Sequence, residues 1–145
     1  MKLFILLGLM TFVISCKINQ RGSVDCICLN TADSIEIFQK SLNSQELNSL
    51  FDIFGDTVLT VLGNGYIRTK YDLLWKGKSV EIISPQILRD CLNESFIIQF
   101  TRFDIINKDS VELSLWLQKQ GSGANFYLTK ERDNWKLKKV ETYLN

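Results

Sequence analysis

The chain contains no histidine among its 145 residues, and this absence removes several classes of functional site. Histidine is the usual general base near neutral pH and the commonest protein ligand of metal ions. A Ser-His-Asp or Cys-His catalytic site is therefore impossible within this chain, and histidine-containing zinc sites are excluded as well. The sequence also marks no pair of residues as a general acid and base. We therefore predict that the protein is not an enzyme and uses no metal or other cofactor.

An excess of charge of either sign is missing too. The chain has 17 basic and 16 acidic residues, and beyond Lys2 the side chains are formally neutral. A neutral chain gives no electrostatic reason to expect nucleic acid as a partner. Proline occurs once, at Pro85, while hydrophobic residues make up 46% of the chain. This composition predicts an ordered domain rather than a disordered chain.

The first sixteen residues carry the most informative pattern that is present. Lys2 precedes an apolar run from Leu3 to Ile14, which is followed by Ser15 and Cys16. A basic start, an apolar run and a small residue are typical of a secretory signal peptide. The run is about a dozen residues long, whereas a membrane-spanning helix needs about 20. We therefore expect residues 1–15 to be a signal peptide rather than a permanent transmembrane helix.

The ending Val13-Ile-Ser-Cys16 resembles the lipobox of bacterial lipoproteins. The resemblance implies that Cys16 is acylated, palmitate included, and anchors the protein to a membrane. Residues 16–32 would then be the lipidated cysteine and a tether, and residues 33–145 a single domain. The implied location is the cell envelope, on the outer membrane and facing the periplasm or the surface, because the residue directly after Cys16 is Lys17 rather than the aspartate that signals inner-membrane retention in enterobacteria. An ordinary secreted protein without lipid is the alternative.

Three further cysteines, Cys26, Cys28 and Cys91, follow this segment. Thiols outside the cytoplasm tend to pair, and a bond from Cys91 to Cys26 or Cys28 would close a loop of about 60 residues. An odd number of cysteines leaves one thiol unpaired. Buried apolar thiols are another interpretation. A redox or metal-binding Cys-x-Cys is a third, although thioredoxin-like sites use Cys-x-x-Cys and four zinc ligands are not evident.

Helix signals come first in the domain. Apolar residues recur at helical spacing between residues 33 and 54, which predicts two helical segments. Asp33 and Asn43 each stand three residues before a glutamate, as in a capping box, so we predict that they are the N-caps. Gly55 is suited to the position after the second helix.

Strand signals follow the helices. We predict a strand over 57–62, a hairpin turn at Gly63-Asn-Gly65 and a second strand over 66–75. Residues 79–83 have the composition of a further strand. Pro85 is placed to open a short helix that runs to about Leu92.

The C-terminal part shows the clearest alternation of apolar and polar residues. Strands are predicted over 96–106, 111–118, 124–130 and 135–144, with turns between them. Together they predict an antiparallel four-strand meander with one face available to a helix layer. The fold class that we expect is therefore α+β, with N-terminal helices packed on a curved antiparallel sheet that ends in this meander.

This order of elements, with the closing Asp133-Asn-Trp-Lys-Leu137, resembles the cystatin-like or nuclear-transport-factor-like fold. The resemblance implies a sheet that wraps a helix, with room for a small ligand between them. Catalytic members of that fold use Asp, Tyr or His in this space. Tyr71, Asp72 and Asp104 are of these types here, but alternation does not direct them inward. The fold carries no single function, so it supplies none for this chain.

Two aromatic residues are the candidate site. Alternation places Trp116 on the polar face of its strand and Tyr127 on the same outer side. Exposed aromatic side chains on a sheet are common at binding surfaces, although a loop or the tether covering them is an equal alternative. We therefore expect a lipid-anchored, non-catalytic binding module whose partner is another envelope protein. The alternative function is a periplasmic protein that binds a small ligand between sheet and helices.

Overall fold

The computed structural model describes residues 29–52, 59–86, 96–118 and 121–144. The helices in this part of the chain are α1 (Thr31–Leu42) and α2 (Gln45–Asp52). The strands are β1 (Leu59–Leu62), β2 (Leu74–Trp75), β3 (Lys78–Ser79), β4 (Glu81–Ile83), β5 (Phe96–Asn107), β6 (Ser110–Leu117), β7 (Ser122–Glu131) and β8 (Asn134–Leu144). The predicted α+β class is confirmed.

Both helices begin at caps other than those predicted. Asn30 is the N-cap of α1, and its Oδ1 accepts a hydrogen bond of 2.7 Å from the backbone N–H of Asp33. Ser44 caps α2, since its Oγ accepts from the backbone N–H of Leu47 at 3.2 Å, while Asn43 is the C-cap of α1. Asn, Asp and Ser are about equally good caps, so their spacing alone does not choose among neighbours. The consequence is that the Asp33 carboxylate remains available for other partners.

The main sheet has six strands in the order β4-β1-β5-β6-β7-β8, and β2 and β3 form a separate two-stranded sheet. β1 pairs in parallel with both β4 and β5. The pairs β5–β6, β6–β7 and β7–β8 are antiparallel. The sheet is therefore mixed, and the expectation of a wholly antiparallel sheet is wrong because of β1.

The predicted hairpin at residues 63–65 is wrong as well. After β1, the Asn64 side chain closes a local turn by accepting from the backbone N–H of Tyr66 at 2.8 Å and of Ile67 at 3.2 Å. Its Nδ2 donates to the carbonyl oxygen of Phe100 in β5 at 2.6 Å. Asn favours such turns because its side chain bonds to nearby backbone. The turn signal was correct, but the strand before it pairs with remote strands.

One cluster of buried side chains joins both helices to the six-stranded sheet. Phe38 of α1 lies at its centre, with ring centroids 4.8 Å from Phe100, 5.5 Å from Phe103 and 6.2 Å from Tyr71. We call the side of β5–β8 that faces this cluster the inner face and the opposite side the outer face. Leu113, Leu115, Phe126 and Leu128 are among the inner-face residues, all less than 1% exposed.

Several predictions fall on residues outside the described ranges. They are the signal peptide, the lipidated Cys16, the disulfide candidates Cys26, Cys28 and Cys91, and the helix beyond residue 86. Neither α1 nor α2, the helices of the described ranges, has the length and apolar character needed to cross a membrane.

Candidate functional site

Strand register arranges the outer face in rows that run across the sheet. Trp116 faces Gly123, and Glu112 faces Tyr127, so both predicted residues lie on this face. They are four residues apart along the strands, or about 13 Å. We name three rows by their members in β5, β6, β7 and β8: the aromatic row (Gln99, Trp116, Gly123, Tyr143), the middle row (Arg102, Ser114, Asn125, Glu141) and the charged row (Asp104, Glu112, Tyr127, Lys139).

The aromatic row contains two half-buried rings, Trp116 and Tyr143. Their centroids are 6.1 Å apart and their planes are inclined by 31°. Tyr143 lies directly over Gly123, where an added Cβ would stand 2.6 Å from the tyrosine Cε2. The Tyr143 hydroxyl also donates to the carbonyl oxygen of Leu115 at 3.4 Å. Glycine at position 123 thus allows the Tyr143 ring to lie against the sheet beside Trp116.

Polar side chains surround Trp116 and are only partly bonded to one another. Gln118 Nε2 donates to Gln99 Oε1 at 3.4 Å, and Ser114 Oγ donates to Asn125 Oδ1 at 2.7 Å. No described residue accepts a hydrogen bond from Trp116 Nε1, Gln99 Nε2 or Asn125 Nδ2. These three atoms are also not among the buried side-chain atoms that lack a partner. They are therefore N–H donors that are not fully buried.

The rest of the outer face differs because its charges are paired with one another. Arg102 contacts Asp104 at 2.5 Å and Glu112 at 3.1 Å, and these carboxylates raise the pKa of Arg102. The Tyr127 hydroxyl donates to Glu141 Oε2 at 3.0 Å, and this bond raises the pKa of Tyr127. The polar group of Tyr127 is therefore already satisfied, unlike that of Trp116.

Lys139 completes this set of charges. Its ammonium group forms an ion pair with Glu141 and lies 5.6 Å from the centroid of the Tyr127 ring. The hydrogen bonds from Lys139 and Tyr127 lower the pKa of Glu141. The Glu141 carboxylate is thus shared between the Tyr127 hydroxyl and the Lys139 ammonium group.

The possible acid and base residues do not form a catalytic group. Tyr71 is buried against Phe38 in the core, whereas Asp104 lies on the outer face in a salt bridge with Arg102. Asp72 is exposed to solvent. The described part of the chain also contains no group of three or more Cys, Asp or Glu side chains placed to hold a metal ion.

Sequence reasoning missed a polar cluster beneath the inner face. Trp135 is fully buried, and its Nε1 donates to Asp33 Oδ1 at 2.9 Å. Lys130 Nζ donates to the same oxygen at 2.8 Å, and the backbone N–H of Trp135 donates to Glu36 Oε1 at 3.0 Å. The only signal was Asp33 and Glu36 one turn apart on α1, which resembled a capping box. We name these four residues the inner tryptophan cluster.

Opposing effects act on the carboxyl group of Asp33. Its burial favours the neutral form, but the hydrogen bonds from Lys130 and Trp135 outweigh burial and hold the pKa of Asp33 below its ordinary value. The side chains of Asp33 and Lys130 are only 14% and 22% exposed. The pair is therefore a partly buried link between α1 and β7.

A surface depression of about 350 Å³ lies at the turn between β7 and β8, lined by Glu131, Arg132, Asn134 and Lys136. Hydrogen bonds from Lys136 and Lys138 lower the pKa of Glu131 to about 2. This hollow is formed by the turn itself and does not correspond to the ligand space that was predicted between sheet and helices.

The outer face thus has two parts. One is the aromatic row with the unpaired N–H donors of Trp116, Gln99 and, in the adjoining middle row, Asn125. The other is a set of charged side chains that are paired with one another. Trp116 belongs to the first kind of surface and Tyr127 to the second. Comparisons of this chain with protein-family models, with curated proteins and with solved structures found no match.

Proposed function

We propose that this chain is a lipid-anchored protein of the cell envelope that acts as a non-catalytic binding module. Its binding surface is the outer face of β5–β8. The observation that carries this proposal is the aromatic row, where two half-buried rings adjoin N–H donors that have no acceptor in the described chain. Aromatic side chains with a few convergent polar groups are the usual material of binding surfaces.

The proposed anchor supports a role in binding at a membrane. The apolar run ending in Val13-Ile-Ser-Cys16 resembles a lipoprotein signal, and acylation of Cys16 would keep the domain beside a membrane. We place the domain on the outer membrane, facing the periplasm or the cell surface. Envelope proteins and other envelope components would then be its available partners.

A small ligand between sheet and helices has less support. In that space the ring centroid of Phe38 lies 4.8 Å from that of Phe100 and 5.5 Å from that of Phe103. The described apolar side chains there are buried against one another. We therefore place the binding site on the outer face.

The test is recovery of bound material from the native envelope. Full-length lipidated protein would be crosslinked in its own membranes, purified and analysed by mass spectrometry for proteins and glycans. We expect the double variant Trp116→Ser, Tyr127→Ser to lose the component that the wild type recovers, because both rings contribute contact area.

Tyr66→Ser is the matched control, because Tyr66 is 39% exposed and lies in the loop after β1 rather than on the outer face. This variant should recover the same component as the wild type. Circular dichroism should show both variants folded. Equal recovery by the double variant and the wild type would contradict the proposed binding surface.

A further inference from the structure

We infer that the aromatic row, together with Asn125 of the adjoining middle row, binds a neutral saccharide. This inference rests on the proposed function, because it assigns a ligand class to the same outer face. The site consists of the rings of Trp116 and Tyr143 together with the unpaired amide groups of Gln99 and Asn125. Three properties of these residues lead to the assignment: their apolar surface, their hydrogen-bonding capacity and their lack of unpaired charge.

The two rings supply the apolar contact. A pyranose ring presents C–H groups on its faces, and these pack well against an aromatic ring through dispersion. Trp116 and Tyr143 stand side by side at 6.1 Å, so they can contact adjoining parts of one saccharide chain. The rings are half-buried. One part of each ring is therefore exposed to a ligand, and the remaining part packs on the sheet.

The polar groups select a ligand rich in hydroxyl groups. Trp116 Nε1, Gln99 Nε2 and Asn125 Nδ2 have no acceptor among the described residues and are not fully buried. A wholly apolar ligand would cover these donors and leave them unpaired, which costs about 1–3 kcal/mol for each buried group. Hydroxyl groups accept and donate, so a saccharide pairs with the donors while its C–H faces cover the rings.

The charges of the outer face argue against a charged ligand. Arg102 is engaged by Asp104 and Glu112, and Lys139 is engaged by Glu141. An anionic ligand such as a phosphate or a nucleic acid needs cations that are available to it. The aromatic row itself contains no ionisable group other than the Tyr143 phenol. A neutral ligand therefore suits this end of the face better than an anionic one.

The sheet holds the site ready for binding. β6, β7 and β8 are paired without a break across Trp116, Gly123 and Tyr143. The absence of a Cβ at Gly123 leaves room for the Tyr143 ring against the sheet, and the Leu115 carbonyl accepts from its hydroxyl. Rings that are already placed lose little conformational entropy when a ligand binds.

Direct titration with soluble oligosaccharides tests this inference. The probes are maltohexaose, cellohexaose and the hexamer of N-acetylglucosamine, added to the full-length protein at about 10 mM, ten times the Kd of a weak site of about 1 mM. Trp75 and Trp135 are 4% and 0% exposed, so Trp116 is the tryptophan that a ligand can reach. We expect at least one probe to shift the tryptophan emission saturably and to give a matching calorimetric isotherm.

Variants locate the binding. We expect Trp116→Ala to weaken binding at least tenfold in calorimetry, and Tyr143→Ala to have a similar effect. Gly123→Ala should also weaken it, because the added Cβ displaces the Tyr143 ring while both rings remain in the chain. Tyr66→Ala should bind as tightly as the wild type.

Two results would overturn the inference. One is the absence of heat and of any emission change with all three probes, and the other is equal affinity of the wild type and Trp116→Ala. If the envelope experiment recovers a protein that the double variant Trp116→Ser, Tyr127→Ser loses, and no probe binds, the outer face is a protein-docking surface and only the saccharide assignment fails. If the material recovered from the envelope does not depend on the outer face, the proposed function fails together with the saccharide assignment.

Discussion

Trp135 and Trp116 lie on opposite faces of the same sheet, and their surroundings differ in one decisive respect. The indole N–H of Trp135 is bonded to Asp33 inside the fold, and the residue is 0% exposed. The indole N–H of Trp116 has no acceptor among the described residues, and its ring is half-buried. Buried polar groups are normally satisfied within the protein. Trp135, whose polar group is satisfied, therefore stabilises the fold, whereas Trp116 is the ring that we propose for binding.

Removing each tryptophan in turn should produce the largest difference in stability between the two faces. Trp135→Ala should lower the free energy of unfolding by about 3–5 kcal/mol, because a large side chain leaves the core. Trp116→Ala should lower it by about 1 kcal/mol or less, because the ring adjoins solvent. Urea unfolding followed by circular dichroism measures both. Similar losses in the two variants would show that Trp116 is a structural residue.

Substitution of Asp33 tests whether its partly buried ion pair with Lys130 stabilises the fold. Asp33→Asn removes the charge that pairs with Lys130 and should cost about 1–3 kcal/mol at neutral pH. Glu141→Gln, on the more exposed outer pair with Lys139, should cost less than Asp33→Asn, because solvent screens the outer pair. Urea unfolding at neutral pH compares the two variants, and equal costs would contradict the stabilising role given to the inner pair.

The stability difference between the wild type and Asp33→Asn should depend on pH. The pKa of Asp33 is lowered in the folded protein, so its carboxylate contributes stability above its unfolded pKa of about 3.9. That contribution is lost as the pH falls through the folded pKa. The stability difference between wild type and Asp33→Asn should therefore shrink in acid, as measured by urea unfolding at several pH values. A difference that stays constant with pH would rule out this linkage.

Collisional quenching distinguishes the two tryptophans by their exposure to solvent, without a large effect on stability. Acrylamide should quench the emission of the wild type chiefly through Trp116, because Trp75 and Trp135 are almost fully buried. Trp116→Phe should therefore remove most of the quenching, and Trp135→Phe should leave it nearly unchanged. Equal reductions in both variants would show that the outer ring is not open to solvent.

Local patterns predicted the α+β class and the face of Trp116, because periodicity is a property of neighbouring residues. They missed Tyr143 for a physical reason. Strict alternation from the inward-facing Trp135 would turn Tyr143 inward too. The register between β7 and β8 shifts at Tyr127 and Leu128. This bulge exchanges the faces on which the later side chains of β8 lie. Tyr143 thereby reaches the outer face, where it pairs with Gly123.

The parallel pairing of β1 is a second feature that local sequence patterns did not predict. Gly63-Asn-Gly65 carries the residues of a tight turn, and the chain does turn there through Asn64. Which strand β1 pairs with is decided by β4 and β5, which are remote in sequence. The cap of α1 was misplaced for a related reason, since the carboxylate of Asp33 is held by β7 and β8 rather than by its own helix.

The inner tryptophan cluster has a consequence for how the chain folds. In this cluster Trp135 donates hydrogen bonds to Asp33 and Glu36, which lie 102 and 99 residues earlier in the sequence. Contacts between such distant parts of a chain form late, because the entropy of closing a long loop is lost before the contact is gained. The first helix therefore completes its packing only when the last strand is in place, and the domain should fold as one cooperative unit.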